Sequence, residues 1–282
     1  MNNIVWIVFD SARYDTFMAA KTPILEQIGA VERRWSYASW TAPSHYAFLM
    51  GVPPHKNMTN VFASVQYRNE IICWTKRLGL KDKQGVDLSH LAPSLSLPAF
   101  LKTLGYRCEA YVSLPVLNPH TLLSGYFDHF ELMPSPNNLG SIIDKLRFLD
   151  APTFFFINTG ETHYPYLLPD ETLSDLPRLP GLHGVYRNLD EFLRNPSAFL
   201  NAESPNKVFT PERLRSLWEK QVACIEYLDG VINRLLEISP KNTWFIITSD
   251  HGELFGEDNF FGHGPIMHEK VYEVFFLEGL YP

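Results

Sequence analysis

The chain has 282 residues, of which 45% are hydrophobic and 20% are charged, and its formal net charge is −7. This balance is typical of a globular protein with a sizeable core, and the acidic charge argues against a nucleic-acid partner. Its three cysteines, Cys73, Cys108 and Cys224, have no Cys-x-x-Cys spacing, which argues against a disulfide framework or a zinc-thiolate site.

Short apolar runs rich in β-branched and aromatic residues predict buried strands at residues 4–9, 108–112, 153–158, 244–248 and 271–277. Helical patterns fall between them, at residues 97–104, 141–149 and 211–238. Before the third of these, Thr210 fits an N-cap and Pro211 fits the first helical position. Alternating strands and helices predict an α/β three-layer sandwich with a mainly parallel central sheet, and we expect residues 1–282 to form a single domain.

The opening stretch MNNIVWIVFD is apolar for only a few residues before it reaches a carboxylate. It has no basic leader and no small-residue cleavage site, so it does not resemble a signal peptide. No apolar run approaches the ~20 residues that a membrane span requires. We therefore expect a cytoplasmic protein without a membrane span, and the sequence leaves the oligomeric state open.

The segment SWTAPSHYAFLMG, residues 39–51, supports two interpretations of Thr41. In the first, the Thr41 side chain caps a helix that has Pro43 in its first turn and Gly51 at its end. In the second, the Thr41 hydroxyl is a nucleophile activated by a metal ion. The two interpretations are compatible, because a helix N-terminus also stabilises negative charge.

Acidic and imidazole side chains follow three of the predicted strands. Asp10 ends the first, His163 follows the third, and Asp250 and His251 follow the fourth, with His263 further on between two glycines. Ligands of open α/β sheets bind outside the carboxyl ends of the strands, so these side chains predict one shared site, although a turn or helix cap is an alternative role for Asp10. Oxygen and nitrogen ligands suit zinc or manganese, and a more oxygen-rich set suits calcium or magnesium.

Six segments of the chain resemble, in the same order, those of the sulfatase branch of the alkaline phosphatase superfamily. They are IVFDSARYD, TAPSHYAFLMG, LPAFLKTLGYRCEAYVS, ETHYPY, CIEYLDGVINRLLE and ITSDHGELFGEDNFFGHG. The resemblance implies an alkaline-phosphatase-like fold. It also implies that Asp10, Asp250 and His251 hold the principal metal ion, with Thr41 as a further ligand at the nucleophile position.

The same resemblance assigns expected roles to three histidines. In the zinc phosphoethanolamine transferase relatives, the positions that match His163 and His263 bind a second metal ion or the anionic group of the substrate. We expect His163 to act in catalysis and both residues to bind substrate, with His263 as a further metal ligand. His45 stands where sulfatases carry Arg, and either substrate contact or helix packing fits it. One or two divalent ions are expected, with zinc or manganese favoured and calcium as an alternative.

Two departures from the sulfatase pattern concern the chemistry. Thr41 stands where sulfatases carry the Cys or Ser that is oxidised to formylglycine, and Ser11 stands where a second acid is common. Both favour the relatives that use an unmodified Thr. The C-terminal subdomain common in sulfatases is expected to be missing.

The sequence thus predicts a metal-dependent hydrolase or transferase that acts on phosphate mono- or diesters, with a small anionic ester as substrate. The alternatives are a sulfatase-type ester hydrolase without formylglycine and a non-catalytic anion-binding member of the fold. The pattern does not separate phosphate, sulfate and phosphonate esters.

Overall fold

A computed structural model of the chain describes residues 1–51, 95–169, 171, 210–259, 261–264 and 267–281. Within these ranges, seven strands form one sheet in the order β2-β9-β6-β1-β5-β3-β4, and β7 and β8 form a small antiparallel pair. The strands are β1 (Asn3–Phe9), β2 (Glu32–Trp35), β3 (Arg107–Val112), β4 (His129–Leu132), β5 (Thr153–Thr159), β6 (Thr243–Ser249), β7 (Leu254–Phe255), β8 (Phe261–Gly262) and β9 (Glu273–Tyr281).

The sheet is mainly parallel, as predicted. β1 pairs in parallel with both β5 and β6, and β3 pairs in parallel with β4 and β5. β9 lies between β6 and β2 and is antiparallel to both. The four predicted strands at 4–9, 108–112, 153–158 and 244–248 are confirmed. The fifth, predicted from residue 271, begins at Glu273 because a helical turn precedes it.

Helices cover both faces of the sheet. The described ranges contain α1 (Tyr14–Ala19), α2 (Leu25–Ile28), α3 (Thr41–Met50), α4 (Leu97–Thr103), α5 (Leu139–Ile143), α6 (Pro211–Ile238) and α7 (Glu269–Tyr272). Alternate residues of β1 divide between two cores: Val5 and Ile7 pack with α6, and Val8 packs with α3. The predicted three-layer sandwich is therefore confirmed for the described ranges.

Two of the predicted helices are correct and one is too long. α6 has the predicted bounds, and the Thr210 hydroxyl accepts a hydrogen bond from the backbone N–H of Arg213 at 3.3 Å, which confirms the cap. α4 also lies where expected. The helix predicted at 141–149 ends instead at Ile143, because the next backbone hydrogen bonds, from Lys145 N–H and Leu146 N–H, reach back only three residues.

α3 corrects the capping interpretation of Thr41. Trp40 is the N-cap residue, with an extended backbone and no side-chain cap, so Thr41 is already the first helical residue. Its hydroxyl is consequently not used for capping. Gly51 ends the helix in a left-handed conformation at φ 61°, as predicted. Among the described residues, no helix combines the length and the apolar character that crossing a bilayer demands.

Candidate active site at the carboxyl ends of the strands

Three buried side chains meet where β1 and β6 end. One ligand atom each from Asp10, Asp250 and His251 lies within 4.8 Å of the others. Asp250 is held in place through its Oδ1 atom, which accepts hydrogen bonds from the backbone N–H of Ser11 at 3.1 Å and of His251 at 3.0 Å. Parallel pairing of β1 with β6 thus brings together residues that are distant in the sequence, as the strand-end pattern predicts.

The orientation of His251 leaves its Nε2 atom facing the two acids. Its Nδ1–H donates to the carbonyl oxygen of Gly252 at 2.9 Å, and Nε2 lies 3.3 Å from Asp250 Oδ2 and 3.8 Å from Asp10 Oδ1. Burial, reinforced by the neighbouring His263, lowers the pKa of His251 well below its ordinary value. The ring is therefore neutral and presents a lone pair to the carboxylates, an arrangement suited to a shared cation.

The Asp250 carboxyl is costly in this position unless a cation is present. Burial and the charge of Asp10 raise the pKa of Asp250 well above its ordinary value. Its Oδ2 atom is buried and has no hydrogen-bond partner among the described residues. Two carboxylates and one imidazole are a common ligand set for zinc and manganese, so these residues fit a divalent cation.

The Thr41 hydroxyl adjoins the same cluster. Thr41 Oγ1 lies 3.4 Å from Asp10 Oδ1 and 3.3 Å from His251 Nε2. It stands in the first turn of the ten-residue α3, where backbone N–H groups lack helical partners and favour an anion. Thr41 therefore opens the helix without capping it, and its hydroxyl faces the ligand cluster.

His45 lies beneath the cluster. Its side chain is fully buried, its Nδ1–H donates to the carbonyl oxygen of Thr41 at 2.8 Å, and its Nε2 lies 3.4 Å from the Asn158 amide nitrogen. Burial lowers the pKa of His45, so the ring is neutral. The packing alternative agrees with these contacts, and direct contact of His45 with substrate has no support from this geometry.

His263 lies next to His251, and His163 lies next to His263. The ring centroid of His263 lies 4.3 Å from that of His251 and 5.2 Å from that of His163. His163 Nδ1–H donates to the carbonyl oxygen of Tyr164 at 2.8 Å. In the described part of the chain, neither histidine belongs to the set of ligand atoms formed by the two acids and His251. The structure therefore places both beside the cluster rather than within it.

Sequence reasoning missed two amides that organise the site. Asn158, on β5, donates to Asp10 Oδ2 at 2.9 Å. Gln221, on α6, donates to the carbonyl oxygens of Ser11 at 3.0 Å and Thr162 at 2.9 Å, tying together the loops after β1 and β5. The available signal was a polar residue inside a buried element: Asn158 in the run FFFINT and Gln221 within the helical stripe.

The comparisons with known proteins agree with this architecture. No protein-family model matches the chain. The uncharacterized sulfatase YidJ of Escherichia coli K12 is 28% identical over 142 residues, which make up 43% of this chain and only 25% of YidJ. Among solved structures, a protein in the alkaline phosphatase superfamily from Vibrio parahaemolyticus matches 99% of this chain and 60% of its own, with a TM-score of 0.55 and 15% identity. The chain has the alkaline phosphatase superfamily fold.

Two further structures show the range of proteins that share this fold. The phosphonate monoester hydrolase of Agrobacterium radiobacter matches 99% of this chain and 68% of its own, with a TM-score of 0.58 and 17% identity. The C-terminal periplasmic domain of EptC from Escherichia coli, in complex with Zn, matches 99% and 73%, with a TM-score of 0.55 and 13% identity. The predicted fold class is confirmed, and at these identities the likeness concerns the fold alone.

Proposed function

We propose that this chain is a divalent-metal-dependent hydrolase or transferase of phosphate mono- or diesters, with Thr41 as the nucleophile. The observation that carries the proposal is the position of the Thr41 hydroxyl, 3.4 Å or less from both Asp10 Oδ1 and His251 Nε2, at the first turn of α3. A hydroxyl placed between metal-type ligands and a helix N-terminus is in the environment that favours an alkoxide.

The residues that would hold the cation are Asp10, Asp250, His251 and Thr41. Their neutral imidazole and two buried carboxylates favour zinc or manganese, with calcium as the alternative, and the Zn complex of EptC supports zinc. When bound, such a cation lowers the pKa of the nucleophilic hydroxyl and offsets the charge of the ester. Asn158 and the backbone N–H groups of Ser11 and His251 hold the carboxylates in place.

Thr41 reacts in two steps under this proposal. A bond forms between Thr41 Oγ and phosphorus, the bond from phosphorus to the leaving oxygen breaks, and the hydroxyl proton passes to Asp10 Oδ1, which accepts its hydrogen bond. Water, or an acceptor alcohol in a transferase, then attacks phosphorus and the bond from phosphorus to Thr41 Oγ breaks. The proton on Asp10 returns to Thr41 Oγ, and the proton of the attacking water or alcohol is released to solvent. The N–H groups of the first turn of α3 stabilise the phosphorylated side chain.

His163 and His263 are the groups available to the transferring phosphoryl group. Their ring centroids lie 5.2 Å apart next to His251, and with Nδ1 carrying the proton each Nε2 presents a lone pair. The two rings can therefore stabilise the oxygens on phosphorus through a second cation held by Nε2, with His263 as its ligand, or directly as imidazolium donors. His45 supports Thr41 from below, through the hydrogen bond to its carbonyl oxygen.

A sulfatase-type ester hydrolase is the second candidate, because the curated relative YidJ is named a sulfatase. The unmodified Thr41 argues against it, since the usual sulfatase nucleophile is made by oxidising a Cys or Ser. The phosphate-ester enzyme and the sulfatase would require the same metal cluster. The type of ester that the protein hydrolyses therefore distinguishes the two candidates.

A substrate panel with elemental analysis tests the proposal. The purified protein is analysed for bound metal and then assayed on nitrophenyl phosphate, phosphodiester, phosphonate and sulfate esters, with zinc, manganese or calcium added. We expect about one equivalent of metal per chain and hydrolysis of a phosphorus ester. Hydrolysis of the sulfate ester alone selects the second candidate. Bound metal without turnover of any ester overturns both and favours an anion-binding protein.

A further inference from the structure

Glu253 is a buried carboxylate that the reaction above does not use. It follows the Asp250-His251-Gly252 turn, and only 1% of its surface is exposed. Its Oε1 atom accepts hydrogen bonds from the phenol of Tyr166 at 2.5 Å and from the amide of Gln221 at 3.3 Å. Burial and the negative charge of Glu253 raise the pKa of Tyr166, so the phenol remains a donor. This end of the carboxylate is thus held by two separate segments of the chain.

The other end of the carboxylate faces His263. Glu253 Oε2 lies 3.5 Å from His263 Nδ1, and within the described ranges neither atom has a hydrogen-bond partner. A buried acceptor and a buried ring nitrogen that face each other can satisfy one another only if Nδ1 carries the proton. Leaving both atoms unsatisfied would be unfavourable, because each is a buried polar group without another partner among the residues described.

The backbone on both sides of His263 is conformationally permissive. Gly262 and Gly264 flank His263 and have positive φ angles of 84° and 131°, a region that few other residues adopt. Glycines restrain the backbone next to them less than other residues do. Contacts of the ring, among them the buried carboxylate of Glu253, therefore contribute to its orientation.

We propose that Glu253 is a positioning residue: it accepts a hydrogen bond from His263 Nδ1–H and so fixes the ring with Nε2 as the nitrogen that meets the substrate. The inference rests on the proposed function, in which His263 contacts the transferring phosphoryl group. Tyr166 and Gln221 hold the Glu253 side chain in place, because both donate hydrogen bonds to its Oε1 atom. A carboxylate behind a functional imidazole selects one tautomer and one ring orientation.

The tautomer of His263 provides a test that requires no substrate. In protein labelled with ¹⁵N-histidine, long-range ¹H–¹⁵N spectra distinguish the Nδ1–H form from the Nε2–H form, and His263→Asn assigns the signal. We expect the Nδ1–H form in the unaltered protein. An Nε2–H form would overturn the proposal without recourse to any variant.

Glu253→Gln sharpens the test. The amide oxygen should remain on the side of Tyr166 and Gln221, since both donate there, which turns the amide NH₂ toward His263 Nδ1. We expect His263 to change to the Nε2–H form in this variant. Tyr166→Phe is the matched control: it removes a hydrogen bond at Oε1 without altering Oε2, so the Nδ1–H form should persist. An unchanged tautomer in folded Glu253→Gln contradicts the proposal.

Kinetics then test whether the contact serves the reaction. Glu253→Gln and His263→Asn should each lower kcat/KM by about 10- to 100-fold, and the double variant should be no slower than His263→Asn alone. Effects that multiply would mean that Glu253 acts independently of His263, which overturns the inference. If no ester is hydrolysed, the proposed function fails while the tautomer measurement still decides the position of the proton.

Discussion

The Thr41 hydroxyl lies 3.3 Å from Nε2 of His251, although the two residues are 210 positions apart in the sequence. α3 supplies the hydroxyl and the turn after β6 supplies the imidazole. Asp10, from the end of β1, lies within 3.8 Å of both. Three segments that share no local sequence thus converge on one point, which makes each of them separately testable.

Replacing Thr41 with Val tests the nucleophile. Valine keeps the branched shape and removes only the hydroxyl, whose contacts at 3.3 and 3.4 Å are long, so the free energy of unfolding should change by about 1 kcal/mol. Turnover of the best phosphorus ester should fall at least about a thousandfold. Thr41→Ser, which keeps a hydroxyl, is the matched control and should retain measurable turnover. Equal rates for the two variants would refute a nucleophilic role.

Asp250→Asn tests two effects on stability: the destabilisation caused by a buried carboxylate without metal, and the stabilisation gained when a cation binds. Without metal, burial and Asp10 destabilise the Asp250 carboxylate, so the neutral amide should raise the melting temperature of the metal-free protein. In the unaltered protein, zinc at a hundred times its Kd should add about 2.7 kcal/mol of stability, and the variant should lose most of this gain. Thermal melts with and without zinc provide the measurement. A variant less stable than the unaltered protein in chelator would count against the proposed cluster.

Glu161 predicts a pH dependence of stability. Burial raises the pKa of this carboxyl to about 7, and its Oε2 atom has no hydrogen-bond partner in the described part of the chain. The folded protein therefore retains a proton that the unfolded chain releases near pH 4.5, so stability falls as the pH rises from about 4.5 to 7. The total loss is about 3 kcal/mol.

Glu161→Gln should remove that loss. The amide oxygen still accepts the hydrogen bond that Glu161 receives from the backbone N–H of Leu139 at 2.8 Å, but it cannot ionise. Chemical unfolding of both metal-free proteins at pH 5 and pH 8 should show a small difference in stability at the lower pH and a clearly more stable variant at the higher. A constant difference across this range would show that Glu161 does not titrate there.

Asn158→Ala should weaken metal binding without touching a ligand. Its amide donates to Asp10 Oδ2 at 2.9 Å, and loss of such a supporting hydrogen bond typically costs 10- to 100-fold in metal affinity. Asn3→Ala is the matched control: Asn3 is also buried and accepts from Thr153 N–H at 2.9 Å, at the opposite end of the sheet. Both variants should lose stability, but calorimetric titration with zinc should show weaker binding only for Asn158→Ala.

The buried strands were predictable because their apolar runs are continuous. β2 and β4 were not, since they lie at the two edges of the sheet; β2, with the sequence ERRW, is exposed at every position. The residue types after Ile143 are compatible with a helix, which explains why a longer helix was predicted. The backbone there instead forms turns that place Leu146 in the core, which local periodicity does not reveal.

The candidate site was predictable to the extent that it depends on strand ends. Asp10, Asp250 and His251 converge because parallel strands end on one edge, a consequence of topology that the sequence order already implies. The burial of His45 and the amide contacts of Asn158 depend on how α3 packs against β5, which no local pattern specifies. The capping interpretation of Thr41 was wrong for a similar reason: Trp40 ends the extended segment one residue earlier.

The central position of β1 determines when this site can form during synthesis. Its partners β5 and β6 come much later in the chain, and the hydrogen bond from Ser11 N–H to Asp250 joins residues that are 239 positions apart. A nascent chain emerging from the ribosome therefore carries β1 without either neighbour until β5 has been synthesised. Such long-range pairing slows folding and leaves aggregation-prone apolar segments exposed. We therefore expect this protein to depend on chaperones while it is being synthesised.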